Sequence, residues 1–420
     1  MRALLCLIAV WAFSCVAAHQ ATKTYEGYKV IRVVPQSAQE LHKLMAIKEE
    51  IVHVDFWRAP HAVGHPVDIN LSPKDFASVS EFLQAHSIRY EVTVDDVYSV
   101  IKSVGQAPSA KNETALPLDY SKYHTWEEIQ TWLDELATEY SSIAKLVEVG
   151  KTYEGRVLRA VHITGHSSNA SKPAFWMDGG IHSREWISPA TVVYILGHLL
   201  EGYGKETSIT SLIDSMDVYI LPVFNADGYV YTHTTDRLWR KTREPNAGSS
   251  CVGTDPNRNW DWHWGESGAS RNPCHEDYAG THAFSQVSVR DVADFLKNIP
   301  NLEIYINFHS FGQLWMYPWA YSTELTPDNA DLRGASIAAI DALKAVHGTV
   351  YTEGPIARII YVASGSTADW TYGAIKVKYS YGIELRDKST FILPAREIVP
   401  SGEETLPAVI ALAEYALEHK

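Results

Sequence analysis

Apolar and polar residues recur with two different periods along this chain, and the change of period divides it. Tyr28 to Val34 alternates as a half-buried strand. Ala38 to Glu50 then carries Leu41, Leu44 and Ile47 at helical spacing. Val52 to Trp57 and Val67 to Leu71 alternate again, Ser72-Pro73 opens a second helix with Phe76, Val79, Phe82 and Leu83 on one side, and Ile88 to Val92 is a further strand. This order of strand, helix, strand, strand, helix, strand predicts a small antiparallel sheet with two helices on one face.

The pattern breaks between Ser103 and Leu118, where Gly105, Pro108, Ser109 and Pro117 interrupt all periodicity. From Tyr120 onward, helical segments alternate with short strands that are apolar on both faces: Ala174 to Met177, Val218 to Val223, Ile304 to Phe308 and Tyr379 to Ile383. Such strands fit the interior of a mixed, mostly parallel sheet with helices on both faces. Functional groups in such sheets gather beyond the carboxyl ends of the strands. His182, Asn225, His309 and Glu384 all fall there.

Of these, His182 and Glu185 stand three residues apart after one strand, and His309 ends another. Two imidazoles and a carboxylate can hold one Zn²⁺ and leave a fourth position open for chemistry. A lone H-x-x-E pair is weak evidence, and arrival of several polar groups at one rim strengthens it.

Composition narrows the setting. Arg2, the apolar run Ala3 to Val16 and the small residues Val16-Ala17-Ala18 read as a secretory signal, with the mature chain starting near His19. No later stretch approaches the ~20 apolar residues of a membrane span. Of four cysteines, Cys6 and Cys15 leave with the signal, and Cys251 and Cys274 most simply pair in an oxidising compartment, two free thiols being the alternative. A net charge of −14 disfavours a nucleic-acid partner. No Gly-rich phosphate loop supports nucleotide binding. Asn112, Asn169 and, more weakly, Asn70 head glycosylation sequons.

The stretches GIHSREWISPA, PVFNADGY, RLWRKTR, DPNRNW, INFHSFGQLWMYP, ASGSTADWTY and IELRD, in that order, resemble the secreted zinc metallocarboxypeptidases of the pancreatic, digestive A/B type in their zymogen form. The resemblance implies a signal peptide (1–18), an inhibitory α+β propeptide (19–102), an activation linker (103–118) and a catalytic α/β domain (119–420). It implies one Zn²⁺ per chain on His182, Glu185 and His309, with Asp255 orienting His182. It makes Glu384 the general base and Arg240 the group that steadies the developing oxyanion. Asn257 and Arg258 would clamp the substrate's terminal carboxylate, because a guanidinium fits a carboxylate through two parallel hydrogen bonds. Arg184 and Ser310 would line the substrate cleft, and Tyr361 would close over it.

Members that remove Lys or Arg place an Asp at the position of Ala368, so Ala368 implies preference for an apolar or aromatic C-terminal residue. Asp369 is adjacent, where the family has a structural Asp. Phe311 replaces a Tyr common in the family, and one residue is inserted between Trp370 and Glu384. Expected partners are peptide and protein C-termini and a trypsin-like activating protease cutting at Lys111, or at Lys102 if a glycan on Asn112 interferes. Neither nucleic acid nor membrane is expected. The expected state is a secreted monomer, in a digestive lumen. The rival readings are a Lys/Arg-type enzyme and a catalytically silent peptide-binding homologue.

Overall fold

The computed structural model describes residues 22–51, 54–104, 118–166 and 171–419. The signal segment, Lys111, Asn112 and Asn169 lie outside the described residues.

The N-terminal unit runs β1 (Lys29–Val33), α1 (Ala38–Glu50), β2 (Asp55–Arg58), β3 (Val67–Leu71), α2 (Pro73–Ala85), β4 (Tyr90–Val94) and α3 (Val97–Ser103). Its sheet has the order β2-β3-β1-β4, and every pairing is antiparallel. Ser37 and Ser72 start the two longer helices by accepting the N–H groups of Glu40 and Asp75. Ile31 and Val33 of β1 share one core with Leu44 and Ile47 of α1 and Val79 and Leu83 of α2. Both helices therefore cover the same face, as the alternation predicts.

Four details depart from the sequence reading. The second strand is Asp55–Arg58 rather than 52–57, and the fourth starts at Tyr90 rather than Ile88. Helix α3 was not anticipated, and it places Lys102 in its last turn. Asn70 lies within β3 and is 4% exposed, with Nδ2 donating to Asp55 at 3.3 Å, so its sequon is closed to a glycan. β3 is buried along its whole length because the opposite sheet face, through Val30 and Trp57, packs into the core of the larger unit.

That larger unit holds β5 (Ala144–Lys151), β6 (Val157–Ile163), β7 (Ala174–Gly179), β8 (Asp217–Leu221), β9 (Leu302–His309), β10 (Leu314–Tyr317), β11 (Thr352–Pro355) and β12 (Tyr379–Glu384) in the order β11-β10-β12-β9-β7-β8-β6-β5. The central run β12-β9-β7-β8 is parallel, and antiparallel strands β10, β6 and β5 flank it. Parallel pairing brings the carboxyl ends of β7, β9 and β12 to one rim. Glu384 and His309 are direct register partners there. Helix α4 (Ile187–Gly202), nearly all buried, packs on β7 and β9.

Candidate metal centre

The chain leaves β7 through Gly179-Gly180, where Gly180 takes φ 68° and an added Cβ would meet Pro189 Cγ at 2.9 Å. This turn starts the segment carrying His182 and Glu185. Ser188 then locks it: its Oγ accepts Gly180 N–H at 2.9 Å and donates to Phe308 O at 2.6 Å, one residue before His309. The two distant segments that carry the three ligands are thus tied through one hydroxyl.

His182 Nδ1 lies 3.0 Å from Glu185 Oε1 and 3.0 Å from His309 Nδ1, while His309 Nδ1 lies 3.1 Å from Glu185 Oε2. Asp255 Oδ1 accepts from His182 Nε2 at 3.0 Å, which fixes the tautomer and turns the Nδ1 lone pair toward the carboxylate. Lone pairs crowded so closely need a cation among them. Zinc bonds of about 2.0–2.1 Å in tetrahedral geometry separate ligand atoms by about 3.3 Å, close to these spacings. The site fits Zn²⁺, and a fourth position is left open by the three-residue set.

The surrounding charges are arranged around Asp255. Its Oδ2 accepts from Arg240 Nη2 at 2.7 Å and Nε at 3.2 Å, and Arg240 Nη1 stands 3.7 Å from Glu185 Oε1. Burial alone would raise Asp255, but Arg240 and His182 hold it well below the usual carboxylate range. Arg240 is raised in return, against burial, chiefly by Asp255. Asn225, grouped with the rim residues by sequence, serves the scaffold instead: it caps α5 (Ala226–Thr234) through Gly228 N–H at 3.1 Å and donates to Lys241 O at 3.0 Å, beside Arg240.

Glu384 ends β12 beside this centre. Its Oε2 is shielded from solvent and finds no hydrogen-bond partner among the described residues. Arg386, two positions on, does not neutralise it, because that guanidinium holds Glu404 at 2.7 and 2.8 Å and Glu397 at 3.0 Å. Burial first, then the charge of Glu185, push Glu384 up to about 8, with His182, Arg240 and Arg58 opposing.

The remaining predicted residues converge on the same cleft. Asn257 Nδ2 contacts His309 Nε2 at 3.3 Å, and its Oδ1 accepts Thr367 N–H at 2.8 Å. Arg258 is positioned by Gly268 O at 3.0 Å and Asn257 O at 2.9 Å, with Tyr361 stacked 5.8 Å from its guanidinium carbon. Ser310 lines the cleft and donates its N–H to Glu185 Oε2 at 3.2 Å, and its buried hydroxyl has no hydrogen-bond partner among the described residues. Ala368 lies in a small apolar cluster with Met316, Ala320, Ile356 and Ala363. The carboxylate of Asp369 points elsewhere, accepting the N–H groups of Ala320 and Tyr321 at 2.8 Å each. Cys251 and Cys274 are bridged, closing the loop that carries Asp255, Asn257 and Arg258.

What the sequence did not disclose is how the N-terminal unit meets the cleft. A cavity of about 880 Å³ has Phe56, Trp57 and Arg58 on one side and Arg184, Glu185, Arg240 and Glu384 on the other. Asp55 Oδ1 pairs with Arg184 Nη1 at 2.8 Å, and Arg184 also stacks on Phe391. Arg58 donates to Lys388 O at 2.6 Å and lies over the Phe311 ring. Away from the cleft, Lys23 pairs with Asp236 at 3.1 Å, and Tyr25 donates to the same carboxylate. No periodicity signals such pairs.

Fold and ligand set together define a single-zinc hydrolase with a covered cleft. The sequence profile described as zinc carboxypeptidase matches residues 129–408, and that of the carboxypeptidase activation peptide matches residues 31–103. The chain belongs to the zinc carboxypeptidase family. It is 40% identical to carboxypeptidase A1 of Homo sapiens over 402 residues, 94% of this chain and 95% of that protein. It is 37% identical to carboxypeptidase B of Homo sapiens over 429 residues, all of both chains. Among solved structures it resembles thrombin activatable fibrinolysis inhibitor (TM-score 0.87, 33% identity, 94% of this chain and all of that one). The carboxypeptidase A from Helicoverpa armigera is similar as well (TM-score 0.86, 28% identity, 94% and 98% covered). The protein is a metallocarboxypeptidase made as a zymogen, with zinc as its metal. Among the described residues no helix is long and apolar enough to cross a membrane.

Proposed function

We propose that the activated chain removes apolar, above all aromatic, residues from peptide C-termini, with Glu384 as general base. The observation that carries the specificity is the pocket beyond the metal centre. Its apolar lining includes Met316, Ala320, Ile356, Ala363, Ala368 and Gly382, with Glu384 at the side of the metal centre, and the carboxylate next to Ala368, that of Asp369, is committed to backbone N–H groups. Small residues at 320, 368 and 382 leave room for a ring, and position 368 offers no carboxylate to a cation. Burying an unpaired Lys or Arg side chain would cost several kcal/mol on the order-of-magnitude scale for isolated charges.

In this reading Arg258 and Asn257 take the terminal carboxylate at the pocket mouth, and this makes the enzyme an exopeptidase. Zinc held by His182, Glu185 and His309 would supply Lewis acidity toward a carbonyl and would acidify water. Glu384 takes the water's proton and passes it to the leaving amine. Its unpartnered, buried oxygen keeps it free for that transfer. Arg240 steadies the negative charge that develops on the carbonyl oxygen, and Tyr361 screens the bound residue from water.

The activation peptide keeps the cleft closed through Asp55 on Arg184 and Arg58 over Phe311. Cleavage by a trypsin-type protease at Lys111 would release it. Lys102 is the poorer site, because α3 would have to unwind before a protease could bind it extended. Secretion into a digestive lumen and a monomeric state complete the reading.

The test is release of Phe, Leu, Lys and Arg from matched peptides, before and after tryptic treatment, with and without a chelator. Chelator-sensitive release of Phe that appears only after cleavage supports the reading. Faster release of Lys or Arg would transfer the chain to the basic-residue type.

A further inference from the structure

We propose that Glu276 and Asp277 form an acidic subsite on the cleft wall for a basic side chain of the substrate, upstream of the scissile bond, which Lys48 of the activation peptide fills in the precursor. The inference rests on the exopeptidase reading above and adds to it a second point of selection.

Both acids line the same cavity as Arg184, Arg240 and Glu384. Their loop is fixed to the metal centre rather than free. The bridge from Cys251 to Cys274 ends two residues before Glu276, Lys241 donates to Pro273 O at 2.6 Å, and Asp255 donates its N–H to Tyr278 O at 2.8 Å. A subsite here has a set distance from the reacting bond.

Two observations point to a cation as its ligand. Lys48 reaches across from α1 and places Nζ 2.8 Å from Asp277 Oδ2. Glu276 Oε2 is shielded from solvent, yet finds no hydrogen-bond partner among the described residues. The cations near Glu276 are engaged elsewhere: Arg184 with Asp55, Arg240 with Asp255, and Lys241 with Pro273 O. His275 stands 4.0 Å from Asp277, too far for a firm hydrogen bond. Burial raises Asp277, but Lys48 overrides it and holds the carboxyl below its ordinary range. When the activation peptide departs, Lys48 and Asp55 leave together, and two carboxylates face the open cleft. An ammonium group with three rotatable donors can bridge such a pair. The peptide's inhibitory contact and the substrate's recognition then share one device, a lysine on this wall.

The competing outcome is that Arg184, once free of Asp55, turns to Glu276 and neutralises it. Tetrapeptides ending in Phe, carrying Lys, Ala or Glu at each of the three preceding positions, distinguish the two. They are assayed by Phe release with the activated wild type, E276Q, D277N and the double variant, after trypsin has been inhibited. The expected result is a preference for Lys over Ala of about tenfold in kcat/KM at one position, with Glu disfavoured there. Each single variant loses part of the preference and the double variant all of it, while hydrolysis of the all-Ala peptide stays within about twofold. No preference for Lys at any position of the wild type overturns the proposal, and that arm needs no variant to fold. An unchanged preference in the double variant overturns it too. If the all-Ala peptide ending in Phe is not cleaved at all, the reading of an apolar C-terminal preference falls, and the subsite proposed with it.

Discussion

Asp255 accepts the Nε2 hydrogen of His182 on one oxygen, at 3.0 Å, while Arg240 occupies the other at 2.7 Å. One fully buried carboxylate therefore sets both the tautomer of a metal ligand and the position of a cleft cation. Asp255→Asn offers an amide N–H₂ where one of these partners needs an acceptor. Zinc affinity, measured by competition against a chelator, is expected to fall about 10- to 100-fold. Unchanged affinity would separate Asp255 from the orientation of His182.

Glu384→Gln preserves the shape of the side chain and removes its basicity. Zinc content is expected to stay at one per chain, while kcat for a peptide ending in Phe falls by about 10²- to 10⁴-fold. Near-normal turnover in the zinc-loaded variant would assign the proton transfer to another group.

Ala368→Asp places a carboxylate among Met316, Ala320, Ile356 and Ala363. Release of Lys and Arg is expected to overtake release of Phe, whose kcat/KM drops at least tenfold because the new charge must be desolvated against a ring. The ratio of Phe to Arg release from matched peptides reads this directly. A retained preference for Phe would move the specificity floor away from Ala368.

Asp55→Ala leaves the Arg184 guanidinium buried, at 2% exposure, without its partner in the precursor. Docking of the activation peptide is expected to weaken by about 2 kcal/mol, near the low end for buried pairs because Asp55 keeps some contact with solvent. That corresponds to a peptide roughly 30-fold more readily displaced. The uncleaved precursor should then hydrolyse small substrates faster than wild-type precursor does. Equal residual activity would show that Arg58 and the aromatic contacts suffice to close the cleft.

Asp369 is fully buried, and burial pushes it up to about 7, against the two backbone N–H groups that favour its charged form. The folded chain therefore holds a proton that the unfolded chain, with an ordinary value near 3.8, has released. The stability from this group is complete below about pH 4 and is lost as pH rises through about 7. Asp369→Asn, which does not titrate, should flatten the fall in the urea midpoint across that window relative to wild type. It should also lower stability overall by about 1 kcal/mol, since one N–H group loses its acceptor. Parallel pH profiles for the two proteins would place that titration elsewhere.

Much of this was legible in the chain itself. The twofold alternation of β1 and the helical spacing of α1 and α2 gave the small antiparallel unit, because both periods are local geometry. His182, Glu185 and His309, the possible zinc donors, and Glu384 were legible as residues of one rim because they follow apolar runs that form central strands. Other features were not. The second strand slipped to Asp55–Arg58, because its side chains are chosen by the cleft they cover rather than by the sheet alone. Asn225 was grouped with the chemical residues at the rim, yet it holds backbone near Arg240, since position at a strand end does not fix where a side chain turns. Ser188 reads as an ordinary helix residue until β9 is laid beside it.

By itself the sequence determined most of the elements and the donor set offered to zinc, since these depend on neighbours along the chain and on residue chemistry. Only the tertiary structure decided which charges meet. Asp55 finds Arg184, Arg386 is drawn to Glu404 and so leaves Glu384 free, Asp369 turns to backbone N–H groups, and Lys48 reaches Asp277. The physical reason is that a charge's partner is set by distance and burial after packing, and residues far apart in sequence carry no periodic trace of that meeting.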